Sequence, residues 1–161
     1  EKEINLDMAF RLQDHLRRQG ADVILTRTDD TFVPLDARAQ LANQRSSHLF
    51  ISIHVNRYPS AVCFGAQTFY FPSSPESRRL AWLIQDELLK VDPKNYRQAL
   101  PGNYRVLRQA RMPAALVEVG FITNPGDRAK LRDFQYRERV AESITRGVLR
   151  FARGETIPPE S

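Results

Sequence analysis

Leu49-Phe50-Ile51-Ser52-Ile53-His54-Val55-Asn56 is the stretch on which the reading of this chain turns. Five of its eight residues are apolar and several are β-branched. A short run of this kind reads as a buried strand, most often one inside a parallel sheet. Side chains alternate across a strand, so Phe50, Ser52, His54 and Asn56 share one face and Leu49, Ile51, Ile53 and Val55 the other. An imidazole at the end of such a strand is costly unless it has a partner. It is either a core histidine satisfied by a carbonyl or a metal ligand, and the stretch itself leaves both open.

Working outward, apolar residues at Ile4, Met8, Leu12 and Leu16 predict a helix over 4–19, stopped by Gly20. Asp22 to Arg27 reads as a strand and Leu35 to Gln44 as a second helix. Ala66 to Phe71 has strand composition. Pro75-Glu76 opens a helix running to about Val91, with Leu80, Leu83, Ile84 and Leu88 inward. Asp92 to Asn103 reads as a surface loop, Tyr104 to Leu107 as a short strand, and Ala114 to Val119 as a second apolar strand. Asn124-Pro125-Gly126 turns the chain, and the spacing of Val140, Ile144, Val148 and Phe151 predicts a last helix over 136–151. Gly154 to Ser161 reads as a tail or the start of a linker. Strands alternating with helices predict an α/β domain with a mostly parallel sheet and helices on both faces. Ligands of such sheets collect outside the carboxyl ends of the strands, where His54 and Glu118 both fall.

The chain has 161 residues, enough for one domain with a sizeable core. Its net charge of +5 allows an anionic partner. Yet the 24 basic residues are interspersed with 19 acidic ones, and no nucleic-acid motif is present, so nucleic acid is not expected. No apolar run approaches the roughly 18 residues of a membrane span. The single cysteine, Cys63, excludes an internal disulfide framework and a cysteine zinc cluster. The chain begins at Glu1 with no visible signal peptide, and it reads as a piece of a longer precursor.

Glu118 interrupts the apolar run 114–119. Such a carboxylate is either ion-paired, with Arg105, Arg108 or Arg111 within reach, or placed to move protons with a pKa raised by burial. Glu1 and Glu3 precede the first helix, where capping and dipole compensation are the plain explanation. A zinc hydrolase needs about three ligands from His, Glu or Asp and a carboxylate to handle protons. His15 and His48 have no metal-ligand spacing and read as surface residues.

Four segments carry a resemblance: Glu1-Lys2-Glu3-Ile4-Asn5-Leu6, Leu25-Thr26-Arg27, Ile51 to Asn56, and Leu116 to Pro125. Leu35, Arg38, Ala42 and Asn43 add a fifth. Together they resemble the zinc-dependent N-acetylmuramoyl-L-alanine amidases of bacterial cell walls, in the same order and over nearly the whole chain. The strand from Gly65 to Tyr70 and the loop from Ala99 to Tyr104 look most like the spore-germination members. The resemblance implies a phosphorylase/hydrolase-like fold. It also implies cleavage of the amide between N-acetylmuramic acid and the first L-alanine of the peptidoglycan stem peptide. Carried over by motif, Glu1 and His54 match two zinc ligands and Glu118 the catalytic glutamate. Asn56 is expected to contact substrate, and so is at least one of Arg97 and Arg105, because guanidinium groups bind the carboxylates of stem peptides in bidentate fashion.

The family's other zinc histidine lies upstream, in a Gly-His-Gly-Gly motif on a first strand. That strand is not in the sequence given, and it is expected to belong to the native protein. The catalytic domain is expected over 1–153 and a flexible tail over 154–161. Location outside the cytoplasm, in cell wall or spore cortex, follows from the substrate class, and a regulatory protein partner is left open. The competing readings are a zinc peptidase acting on wall peptides and a non-catalytic peptidoglycan-binding module.

Overall fold

The computed structural model describes residues 1–158. Its elements run α1 (Lys2–Arg18), α2 (Leu35–Gln44), β1 (Phe50–Asn56), β2 (Gln67–Tyr70), α3 (Pro75–Leu89), β3 (Leu100–Pro101), α4 (Arg105–Gln109), β4 (Ala114–Phe121), α5 (Pro125–Arg132) and α6 (Phe134–Ala152). The sheet order is β1-β4-β2-β3. β1 and β3 run parallel to their neighbours, and β2 runs antiparallel to β4. All eight residues of β4 are buried, as expected of the strand that carries partners on both sides.

The alternation read from the sequence sorts the two faces. Val55, Ala115, Val117 and Val119 join Met8 and Leu12 of α1, Leu80 and Ile84 of α3, and Val140 and Ile144 of α6 in one large core, with Leu49, Ile51 and Ile53 packed against it. Phe50, Ala114 and Leu116 face the other way, into a smaller cluster with Ala42 of α2 and Val106 and Leu107 of α4. In the large core, α3 and α6 approach so closely that a Cβ on Gly147 would lie 2.6 Å from Ile84 Cα.

Local chemistry sets the helix starts. Ser74 Oγ accepts from Ser77 N–H at 3.2 Å, Asn124 Oδ1 from Asp127 N–H at 3.0 Å and Asp133 Oδ1 from Gln135 N–H at 2.9 Å. Pro75 and Pro125 stand in the first turns of α3 and α5.

Several expectations are corrected. Residues 22–27 form no strand: the Val23 carbonyl accepts from Gln13 Nε2 and Arg17 Nη2 of α1, so its backbone is served by side chains instead of a β-ladder. The segment 104–107 is not a strand but the start of α4. Val106 and Leu107 are consecutive and both buried on the same cluster, which a strand would send to opposite faces. The turn at Asn124-Pro125-Gly126 is the start of α5, which the sequence reading did not foresee. β1 has a ladder partner on one side only among the described residues, and Ile51 and Ile53 stay half-buried. At the far end, Arg150 binds the Glu155 carboxylate and Arg79 Nη1 donates to its carbonyl. The last residues of the expected tail, 159–161, lie outside the described residues.

Candidate active site

β1 and β4 pair so that His54 stands opposite Glu118, and β2 pairs on the other side so that Gln67 does too. Three strands distant in sequence therefore set imidazole, carboxylate and carboxamide in one row. The row lies on the sheet face covered by the thinner α2/α4 layer, since His54 shares the face of Phe50, and Glu118 that of Ala114 and Leu116.

Just beyond the row, the register slips. Asn56 pairs with Phe121, so two steps along β1 match three along β4. Such a bulge bends a strand and re-aims the side chains that follow it. The freed Phe121 N–H donates to Asp127 Oδ2 at 3.0 Å, and the same oxygen accepts from Gly65 N–H at 2.8 Å. Asp127, only 3% exposed, thereby ties the strand end to the loop entering β2. Gly65 is required there, with φ of +93° and Asn95 Oδ1 where a Cβ would be.

Glu118 is 8% exposed, and its Oε2 has no hydrogen-bond partner. Burial first, then the negative charge of Glu1, push its pKa up to about 7. The ion pair entertained from the sequence does not form. Arg105 pairs with Asp36 at 2.6 Å, Arg108 donates to Asn103, and the Arg111 backbone N–H donates to Asn43. Burial and the Glu118 charge also raise the phenol pKa of Tyr104, whose ring packs edge-on against Phe69.

His54 Nε2 shares a 2.9 Å hydrogen bond with Ser52 Oγ. Burial, then the nearby Arg38 charge, lower its pKa, so the neutral ring is favoured. Glu1 occupies the N-cap position of α1 but its side chain makes no capping bond. Its carboxylate is exposed and acts electrostatically on Glu118 instead. Arg27 donates to the carbonyls of Lys2 and Asp29, which fastens the start of α1 beside this row.

Of the expected substrate residues, Asn56 ends β1 one step past the bulge. Arg97 donates from Nε to the Phe64 carbonyl, stacks over Phe121 and Tyr96, and touches Gln67 Oε1 at 3.5 Å. Arg105 heads α4. The sequence reading missed Gln67 and Asp127, and it named Arg38 only within the resembling segment, without a role. Gln67 carried a signal: it is a carboxamide in a run that otherwise reads as β-branched and aromatic.

Among the described residues, one His/carboxylate trio is tight enough to hold a metal ion: His15, Glu138 and Glu142, on α1 and α6. Glu138 is already engaged at both oxygens, by Arg11 at 2.7 Å and by His15 at 2.8 Å. His15, read as a surface residue, is thus half-buried and paired, whereas His48 is exposed.

A neutral imidazole beside a buried, proton-binding carboxylate, at the strand ends of an α/β sheet, is the equipment of a hydrolase. Comparison with known proteins gives that class a family. The model of the N-acetylmuramoyl-L-alanine amidase family (Amidase_3) matches residues 1–150, and the chain belongs to this family of peptidoglycan hydrolases. The germination-specific N-acetylmuramoyl-L-alanine amidase of Bacillus subtilis is 38% identical over 99% of this chain and 74% of its own length. The CwlD amidase of Clostridioides difficile, solved in complex with the GerS lipoprotein, superposes with a TM-score of 0.92 at 30% identity, covering 96% of this chain and 87% of that one. An N-acetylmuramoyl-L-alanine amidase of Clostridium difficile 630 gives 0.91 at 33% identity over 96% and 85%. No described helix is long and apolar enough to cross a membrane.

Proposed function

We propose that Glu118 is the proton-transfer group with which this amidase cuts the bond between the lactyl carbonyl of N-acetylmuramic acid and the first L-alanine of the stem. The observation that carries this is its buried, unpartnered Oε2 with a pKa near neutrality. A carboxylate in that condition accepts a proton from an attacking water and returns it to the departing amine at working pH.

The same reading gives Glu1 and His54 to zinc. Their chemistry fits: a neutral imidazole and a carboxylate without a capping bond are donors of the kind zinc takes. Among the described residues, no group of three His, Cys or carboxylate donors close enough together to hold a metal includes either of them. When bound, zinc polarises the amide carbonyl and lowers the pKa of its water. Ser52 fixes the His54 ring, and Gln67, held by the Gln98 carbonyl at 3.1 Å, closes the row on the far side of Glu118. Asn56, Arg97 and Arg105 are assigned to the stem peptide or the muramyl group. Action outside the cytoplasm, on cell wall or spore cortex, follows from the substrate and from the wall and germination roles named for the relatives. A protein partner is proposed by analogy with the lipoprotein complex of the neighbour structure.

Purified sacculi treated with the full-length protein should release stem peptides with free L-alanine amino termini, and Glu118→Gln should abolish that release. New ends within the peptide, or substantial activity in the variant, would overturn the proposal.

A further inference from the structure

Arg38 stands on α2 and carries a charge that no described residue neutralises. Ala42 of α2 packs in one cluster with Phe50, on the sheet face that carries His54, and Arg38, one helical turn earlier, shares the face of the helix that Ala42 presents to that cluster. The guanidinium is close enough to influence the His54 ring. Its one side-chain bond among the described residues runs from Nε to the Val33 carbonyl at 2.9 Å, which fixes its direction and leaves both terminal nitrogens without a protein partner.

Among the described residues no acid pairs with Arg38: Glu1 and Glu118 of the row make no ion pair with it, and the acids of its own and the preceding segment are committed elsewhere. Asp36 is taken by Arg105 and Gln109, Asp30 by Lys2, and Asp29 by the Thr31 N–H. The charged neighbour that Arg38 feels is Arg27, of like sign. A half-buried guanidinium beside a second cation and without a counterion is unfavourable in the free protein. Its free edge, two parallel N–H groups, matches a carboxylate in bidentate fashion.

We infer that Arg38 is a specificity residue that binds a carboxylate of the stem peptide close to the scissile amide, on the His54 side of the row and opposite Glu118. This rests on the amidase reading of the site and adds the anionic group that the site selects. Arg38 touches the substrate and takes no part in proton transfer.

The test uses the full-length, zinc-loaded protein and two muramyl peptides. They differ only in the stem carboxylate nearest the cut, free in one and amidated in the other. Wild type should favour the free acid by about tenfold or more in kcat/KM, chiefly through KM. Arg38→Ala should narrow that preference to within twofold, and Arg38→Lys should retain an intermediate preference. No preference in wild type, or an undiminished one in Arg38→Ala, overturns the inference. If Arg38→Ala fails to fold by circular dichroism, Arg38→Gln and Arg38→Lys carry the same comparison. If wild type cuts neither peptide at the lactyl amide, the functional reading fails separately. The inference is then decided by calorimetric titration of Glu118→Gln with the free-acid peptide. Roughly tenfold weaker binding on adding Arg38→Ala supports it, and equal binding overturns it.

Discussion

Replacing the carboxylate of Glu118 by an amide of the same size keeps the row of side chains and removes the proton acceptor proposed for it. Hydrolysis should fall by at least about 10²-fold, the scale of general-base catalysis. The same substitution reads out the burial of the charge. In the metal-free protein, the folded state holds the Glu118 proton up to about pH 7, whereas an unfolded glutamate releases it near 4.5. The folded state's gain from that proton is therefore complete below about 4.5 and is lost as pH rises through 7. Glu118→Gln should gain stability relative to wild type across this window, by on the order of 3 kcal/mol at pH 8. Urea denaturation of both proteins at pH 4 and pH 8 measures it, and a pH-independent difference would contradict the raised pKa. Among the expected substrate residues, Arg97→Ala should lower turnover efficiency more than Arg105→Ala. Arg97 has no acidic partner among the described residues, while Arg105 is shared with Asp36.

At the scale of elements, most of the architecture was legible in the sequence. The 3.6-residue spacing of α1, α3 and α6 and the apolar runs of β1 and β4 needed no tertiary context. What was not legible depended on partners distant in the chain. Residues 22–27 have strand composition, yet a strand exists only with a ladder neighbour, and here the Val23 carbonyl bonds to α1 side chains. Val106-Leu107 looks extended until Ala42 and Phe50 supply one surface for both residues. Asp127 gave no sign that its carboxylate would gather two backbone amides. Asp127→Ala leaves the N–H groups of Phe121 and Gly65 unpaired in a buried place, and should cost about 2–4 kcal/mol by chemical denaturation. Gly147→Ala drives a methyl group onto the backbone of Ile84 and should cost about 1–3 kcal/mol. Because Gly147 sits in the α3/α6 interface, on the face of the sheet away from the row, the variant's metal content should stay that of wild type.

For the whole molecule, the large core of α1, α3 and α6 is built without the site. Stripping metal from the full-length protein with a chelator should therefore abolish hydrolysis while leaving the far-ultraviolet circular dichroism unchanged. Loss of helix signal on chelation would show that metal holds the fold as well. The row itself depends on a parallel pairing between β1 and β4, with β2, α3, β3 and α4 intervening in the chain. Contacts between segments so far apart are among the slowest to form, because the intervening loop must close before the pairing repays it. Helices and local turns can be in place while His54 and Glu118 are still strangers. A newly made or partly unfolded copy of this enzyme is therefore blank as a hydrolase, and the power to cut wall material arrives only when this long-range closure is complete.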